Sequence, residues 1–203
     1  MRLYFVRHGQ SVANTLRVIS NRNLPHPLTE VGRQQATDLA AALSGVRWSA
    51  LYASPILRAV QTAEILAAAF NLPINLTDAL REPDCGEMEG RSDEAAWTEH
   101  QRVMVDWLLH EKFDSCLPGG ESYWDVRARF VPFVEQLIDR YVHADHNLLL
   151  IAHGSLLYMM LPEVLSNIDR AFAREQPMPN TAVIVAEQGE DGLRCVEWCG
   201  VKI

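Results

Sequence analysis

Arg7-His8-Gly9 follows an apolar run from Leu3 to Val6, and a second apolar run, Asn147 to Ala152, ends in His153-Gly154. Runs of this length read as buried strands, and open α/β sheets bind ligands at the carboxyl ends of their strands. There a histidine suits nucleophilic attack, a neighbouring arginine suits an anion, and glycine lets the backbone approach closely. Arg58 falls in the first turns of a predicted helix after a third apolar stretch, Ala50 to Ala53. Two histidines and two arginines at neighbouring strand ends make a small, strongly positive pocket, which is what phosphoryl transfer needs. The transferring group carries its charge on equatorial oxygens, so catalysis is mostly positioning and electrostatics. Arginine bonds two phosphate oxygens with one planar fork, and neutral imidazole can attack phosphorus to give a phosphohistidine. A carboxyl group must protonate the leaving alkoxide and then take a proton from the incoming nucleophile. The acidic run that includes Glu82, Asp84, Glu87 and Glu89 offers four carboxylates for that role. No Walker-type loop and no Asp/His cluster of two-metal spacing is present, so this chemistry asks for no metal and no cofactor. His143 and His146 have metal-like spacing but sit in a polar stretch, and are expected to be exposed.

The elements around these residues follow from pattern and punctuation. Thr29 is placed to cap a helix whose apolar positions Val31, Ala36, Leu39, Ala40 and Leu43 recur at helical spacing, and Ser44-Gly45 ends it. Ser54-Pro55 reads as the N-cap and first position of a helix through about Phe70. Leu72 to Leu76 reads as a short strand. Ser122 with Asp125 resembles a capping box for a helix reaching about Val142. Another helix is expected after Gly154, and Thr181–Ala186 and Leu193–Trp198 read as a closing pair of strands. Strands alternating with helices predict an α/β fold, a mostly parallel central sheet with helices on both faces. The 80–120 segment breaks the alternation and reads as an inserted lid with a helix over about 92–111, which Trp97, Trp107 and Trp124 would pack against the body. Glu121 serves equally well as a cleft border or as a helix start.

The chain has 203 residues, 48% of them hydrophobic, enough for one domain with a full core, and no linker divides it. Arg7 interrupts the first apolar run too early for a signal peptide, and no run approaches membrane-spanning length. The four cysteines lack zinc-site spacing, so free thiols in a reducing cytoplasm are expected. A net charge of −8 argues against non-specific binding to nucleic acid or anionic membranes. In such an acidic protein, an anionic ligand requires a local gathering of arginines.

The chain resembles the histidine phosphatase superfamily, in the branch of cofactor-dependent phosphoglycerate mutases and their phosphatase relatives. The matching residues are Val6-Arg7-His8-Gly9-Gln10-Ser11 with Asn14, then Leu28-Thr29-Glu30-Val31-Gly32-Arg33, then Ser54-Pro55 with Arg58-Ala59 and Gln61-Thr62-Ala63. Leu80-Arg81-Glu82 with Gly86 and Glu89-Gly90, Pro118-Gly119-Gly120-Glu121-Ser122 and Ala152-His153-Gly154 complete the series, in the family's order over most of the chain. The resemblance implies a three-layer α/β/α sandwich and one such domain over 1–203. It implies His8 as the phosphorylated nucleophile, Arg7, Arg58 and His153 as phosphate ligands, and Glu82 as proton donor and acceptor. Gly9, Gln10, Ser11, Asn14 and Gly154 would line the substrate site. The substrate would be a small phosphomonoester, with no nucleic acid or membrane partner. Two departures bear on specificity: Pro25-His26-Pro27 stands where many members carry an aspartate before the Leu-Thr pair, and Met88 where an aromatic is common. The chain is shorter than the family's mutases, and its acidic 80–120 segment would repel a doubly phosphorylated intermediate. Hydrolysis is therefore expected over mutase transfer, and both over an inactive phosphate-binding module.

Overall fold

The structure, a computed structural model, describes residues 1–22, 24–141 and 145–203. A seven-stranded sheet runs in the order β3-β2-β4-β1-β5-β6-β7. Its strands are β1 (Arg2–Arg7), β2 (Ala50–Ala53), β3 (Ile74–Leu76), β4 (Asn147–Ala152), β5 (Val183–Gly189), β6 (Gly192–Trp198) and β7 (Val201–Lys202). β3, β2, β4 and β1 are mutually parallel, and β5 to β7 add an antiparallel edge beside β1. The helices are α1 (Val12–Leu16), α2 (Glu30–Ala42), α3 (Leu57–Phe70), α4 (Glu94–Leu109), α5 (Tyr123–Tyr141), α6 (Gly154–Val164) and α7 (Arg170–Glu175).

Alternation along the buried strands sorts their side chains onto two faces. Leu3, Phe5, Leu148, Leu150 and Ala152 point to one core with Phe130 and Val134 of α5 and Leu156 and Met160 of α6. Tyr4, Val6, Leu51, Leu149 and Ile151 point to the other, with Leu39 of α2 and Ala59, Ala63 and Leu66 of α3. The predicted layered α/β arrangement therefore has a specific physical origin. Central strands whose consecutive positions Leu3–Val6 and Leu148–Ala152 are all buried need a helix layer on each side.

Two local readings change. Thr29 does cap α2, accepting from the Gly32 N–H at 3.0 Å, but Val31 is exposed rather than on the buried stripe. Ser54 is not the cap of α3: the chain bends through Pro55, Ile56 takes the N-cap position, and helix begins at Leu57. The inserted segment packs against the body as expected, with Ala96, Val103 and Trp107 of α4 buried in the same core as α5 and α6. Of the three tryptophans expected to pack it down, Trp107 is fully buried, Trp97 is half-buried at the cleft, and Trp124 is 46% exposed. The Ser122–Asp125 box is present, with the Ser122 hydroxyl 2.6 Å from Oδ2 of Asp125. All four cysteines are free. Among the described residues no helix is long and apolar enough to cross a membrane. His146 bonds Ser49 at 2.7 Å, while His143 lies outside the described residues.

Candidate active site

The register of β1 on β4 pairs Arg7 with Ala152, so both strands end level and deliver His8 and His153 side by side. Their rings stand 5.0 Å apart between centroids. Both residues are buried, at 3% and 0% exposure, and both belong to loops that leave the sheet at its carboxyl edge. A cavity of about 260 Å³ opens there, lined by Arg7, His8, Asn14, Arg58 and Glu82, with Gly154 and Ser155 at the start of α6.

His8 has a defined tautomer. Its Nδ1 lies 2.7 Å from the Gly9 carbonyl oxygen, which can only accept, so Nδ1 carries the proton. Its Nε2 receives the Arg58 Nε–H at 2.9 Å, and arginine can only donate. The imidazole is thus neutral, with its lone pair on Nε2. Burial, and after it the nearby positive charge of Arg58, hold its pKa well below the ordinary histidine value. His153 is held below that value for the same leading reason. Its Nε2 lies 2.8 Å from the Ser54 hydroxyl, and its Nδ1 is buried without a hydrogen-bond partner in the protein.

The two arginines are placed by backbone oxygens. Arg58 donates to the carbonyl of Ser20, and Arg7 to that of Met178 at 2.6 Å. Burial lowers the Arg58 pKa to about 10, with Glu82 the largest opposing influence, and lowers that of Arg7 in the same way. Arg58 therefore stays charged at neutral pH. The Arg7 Nε is buried and unpartnered, a donor whose desolvation an anion in the cavity would offset. Gly154 lies against this guanidinium, where a Cβ would come into van der Waals contact at 3.4 Å from Nε of Arg7.

Glu82 is the one of the four candidate carboxylates that lines the cavity. Its Oε1 accepts the Ser155 N–H at 3.1 Å and its Oε2 the Leu156 N–H at 3.0 Å. These are the open donors of the first turn of α6, and the helix dipole adds to the attraction. Two of the other acids serve the loop before α2. Asp84 pairs with Arg22 at 2.9 Å, Glu89 accepts the Asn21 N–H at 2.8 Å, and Glu87 is exposed. Glu121 neither borders the cleft nor merely starts a helix. It pairs with Arg129 at 2.8 Å, and Arg129 also donates to the Asp78 and Ala79 carbonyls, so the pair braces the turn that presents Glu82.

The remaining predicted residues divide. Asn14 lines the cavity and its Oδ1 accepts from the Ser11 N–H at 3.0 Å. Ser11 itself is fully buried at the start of α1. Gln10 turns away from the cavity toward α2, accepting from the Thr29 hydroxyl at 2.8 Å. Gly9 bears on the site through its backbone: its N–H donates to Thr62 at 3.1 Å, and a Cβ there would stand 2.5 Å from the Gly32 carbonyl oxygen. Sequence reasoning left several participants unassigned. Ser54 touches His153, Thr62 anchors Gly9, and the Gln61 amide oxygen receives the Leu28 N–H at 2.7 Å. Asn180 donates to the His8 carbonyl at 3.1 Å, and Trp97, His100 and Tyr158 complete the cavity wall. Among the described residues, no group of three or more histidine, cysteine or acidic side chains is gathered to hold a metal.

The model of the histidine phosphatase superfamily, branch 1, matches residues 3–200, and the chain belongs to that family. A fructose-2,6-bisphosphatase, TIGAR B of Danio rerio, is 31% identical over 160 residues, which are 76% of this chain and 57% of that longer protein. A 2,3-bisphosphoglycerate-dependent phosphoglycerate mutase of Rhizobium etli is 34% identical over 164 residues, 76% of this chain and 75% of the mutase. Among solved structures, a mycobacterial glucosyl-3-phosphoglycerate phosphatase complexed with VO3 superposes with a TM-score of 0.83 at 26% identity, over 98% of this chain and 99% of its own.

Proposed function

We propose that the chain, as one domain over 1–203, hydrolyses small phosphomonoesters by way of a phosphohistidine on His8. The observation that carries this reading is the imidazole of His8, neutral and with its lone pair on Nε2, at the edge of a cavity that also holds Arg7, Arg58 and Glu82. In the first step Nε2 forms a bond to phosphorus as the ester P–O bond breaks. The proton that a monoanionic ester brings with it passes through Glu82 to the departing alkoxide, leaving Glu82 a carboxylate. In the second step a water oxygen attacks phosphorus, that carboxylate takes the water's proton, and the N–P electron pair returns to Nε2. Arg58 shifts its Nε–H from Nε2 to a phosphate oxygen as the new bond forms, Arg7 offers its unpartnered Nε–H, and His153, with Nε2 accepting the Ser54 hydroxyl, offers its unpartnered Nδ1–H. Free thiols and a small-metabolite substrate suit a reducing cytoplasm.

Mutase transfer is the runner-up, supported by named relatives. A retained phosphoglycerate needs further cations, yet Arg7 and Arg58 are the cationic residues of the cavity wall, and α4 contributes Trp97 and His100. That observation favours hydrolysis. The test is turnover of p-nitrophenyl phosphate in the presence of EDTA, followed by a panel of phosphorylated metabolites ranked by kcat/KM. The panel includes 3-phosphoglycerate with 2,3-bisphosphoglycerate. Release of inorganic phosphate from single esters is expected; efficient interconversion of phosphoglycerates without phosphate release would favour the mutase, and binding without turnover an inactive module.

A further inference from the structure

A second cavity, of about 220 Å³, lies against the catalytic one and shares Ser155 and Tyr158 with it. The two follow a single helical stripe. On α4, Trp97 and His100 line the catalytic cavity, and Met104 and Leu108, one and two turns further along the same face, line the second. On α6, Ser155 and Tyr158 stand at the junction and Met159 continues into the second space. Each cavity alone is smaller than the roughly 300 Å³ at which ligand pockets begin, and joined they exceed it. His100 to Leu108 spans eight residues, about 12 Å of helix, which is the reach of a compact organic group beyond the phosphate.

The chemistry of the second space is one-sided. Met104, Leu108 and Met159 present carbon and sulfur. The Tyr158 hydroxyl is already committed, donating to the Gln176 carbonyl at 2.8 Å. Polar groups are confined to the two ends, Ser155 at the junction and the exposed Arg174 at the rim. A leaving group with several hydroxyls would lose its water there without new partners, and that cost weighs against it. An apolar body gains by burial, and the flexible thioethers adapt to its shape.

We propose that this space is the leaving-group subsite, and that the preferred substrates are phosphate monoesters of alcohols with a compact apolar body. The proposal rests on the phosphohistidine reading above, because that reading sets the ester oxygen beside Glu82, whose Oε1 accepts the N–H of Ser155 at the junction of the two cavities. The test compares ethyl phosphate, 2-phenylethyl phosphate and glucose 6-phosphate, all primary alkyl esters in which the same kind of bond breaks. The expected result is a kcat/KM for the phenylethyl ester about tenfold or more above both others. Met104→Gln and, separately, Leu108→Gln should each lower the ratio of phenylethyl to ethyl turnover. A wild-type ratio at or below one overturns the subsite, while His8-dependent turnover of ethyl phosphate would leave the underlying reading standing. An unchanged ratio in both folded variants also overturns it. If none of the three esters is turned over and no phosphoenzyme forms, the underlying reading falls and the subsite with it. Should either variant fail to fold, the wild-type ratio decides alone.

Discussion

His8 makes two hydrogen bonds that together decide which of its nitrogens can react. The Gly9 carbonyl takes the proton of Nδ1, and Arg58 points a donor at Nε2. Because burial holds the pKa of His8 well below 6.5, the reactive neutral form should persist through neutral pH. Protonation removes the lone pair, so the rate of phosphoenzyme formation should stay level at neutral pH and fall only on the acid side of the usual histidine range. A single-turnover pH profile checks this, and a titration at or above 6.5 would contradict it. Glu82→Gln should slow hydrolysis of alkyl phosphates far more than that of p-nitrophenyl phosphate, whose leaving group needs less protonation; equal losses would point to another acid. Ser54→Ala removes the hydroxyl beside Nε2 of His153 and should lower kcat about 10- to 100-fold, with Ser54→Thr restoring part of it. His8, Arg7 and His153 were legible in the sequence because each sits at or just after the end of an apolar strand, and Arg58 because it opens the helix that follows one. Ser54 and Thr62 were not, since their partners are 99 and 53 residues away and a serine before a helix reads first as a cap.

At the scale of elements, the loop after β1 is held against the first turn of α2 by near contact of two backbones. A Cβ on Gly32 would stand 1.9 Å from the Gln10 carbonyl oxygen. Gly32→Ala should therefore destabilise the fold by about 1–3 kcal/mol and shift the loop that carries Gly9. Denaturant midpoints measure the first effect and kcat the second, and a neutral variant would show that the two segments move apart freely. Gly86 plays a matching part in the inserted segment. It has φ of +53°, and a Cβ there would stand 2.0 Å from the Pro118 carbonyl oxygen, so the turn after Glu82 closes on the Pro-Gly-Gly turn only with glycine. Helix periodicity and capping residues announced most elements, α2 and α5 in particular. The character of α4 was partly hidden. The sequence pointed to packing by its tryptophans, but not to Ala96 and Val103, which join Trp107 on the inner face in the main core. Burial against a partner far along the chain is a tertiary fact that local composition does not encode.

Across the whole molecule, the site is bought with buried imidazoles in a protein of net charge −8. His8 and His153 are both depressed below 6.5 when folded, whereas in the unfolded chain they titrate near that value. Above 6.5 neither state binds these protons and the histidines leave stability unaffected by pH. Below it the unfolded chain takes them up first, so stability should fall as pH drops, by up to about 1.4 kcal/mol per pH unit for each histidine. Unfolding free energies from pH 7.5 down to 5 check the slope, and the His153→Asn variant should lose part of it. The layered fold could be foreseen from alternating strands and helices, but the neighbouring cavities could not. They depend on one stripe of α4 meeting one stripe of α6, and neither stripe differs in sequence from an ordinary core face.

The most direct test of the central claim is acid-free quenching of the enzyme during turnover of a phosphate monoester, with the modified residue located by mass spectrometry. An acid-labile phosphoryl group on His8, formed in wild type and absent from His8→Ala, is the predicted result. Full hydrolysis by His8→Ala, or a phosphoryl group carried elsewhere, would contradict the account.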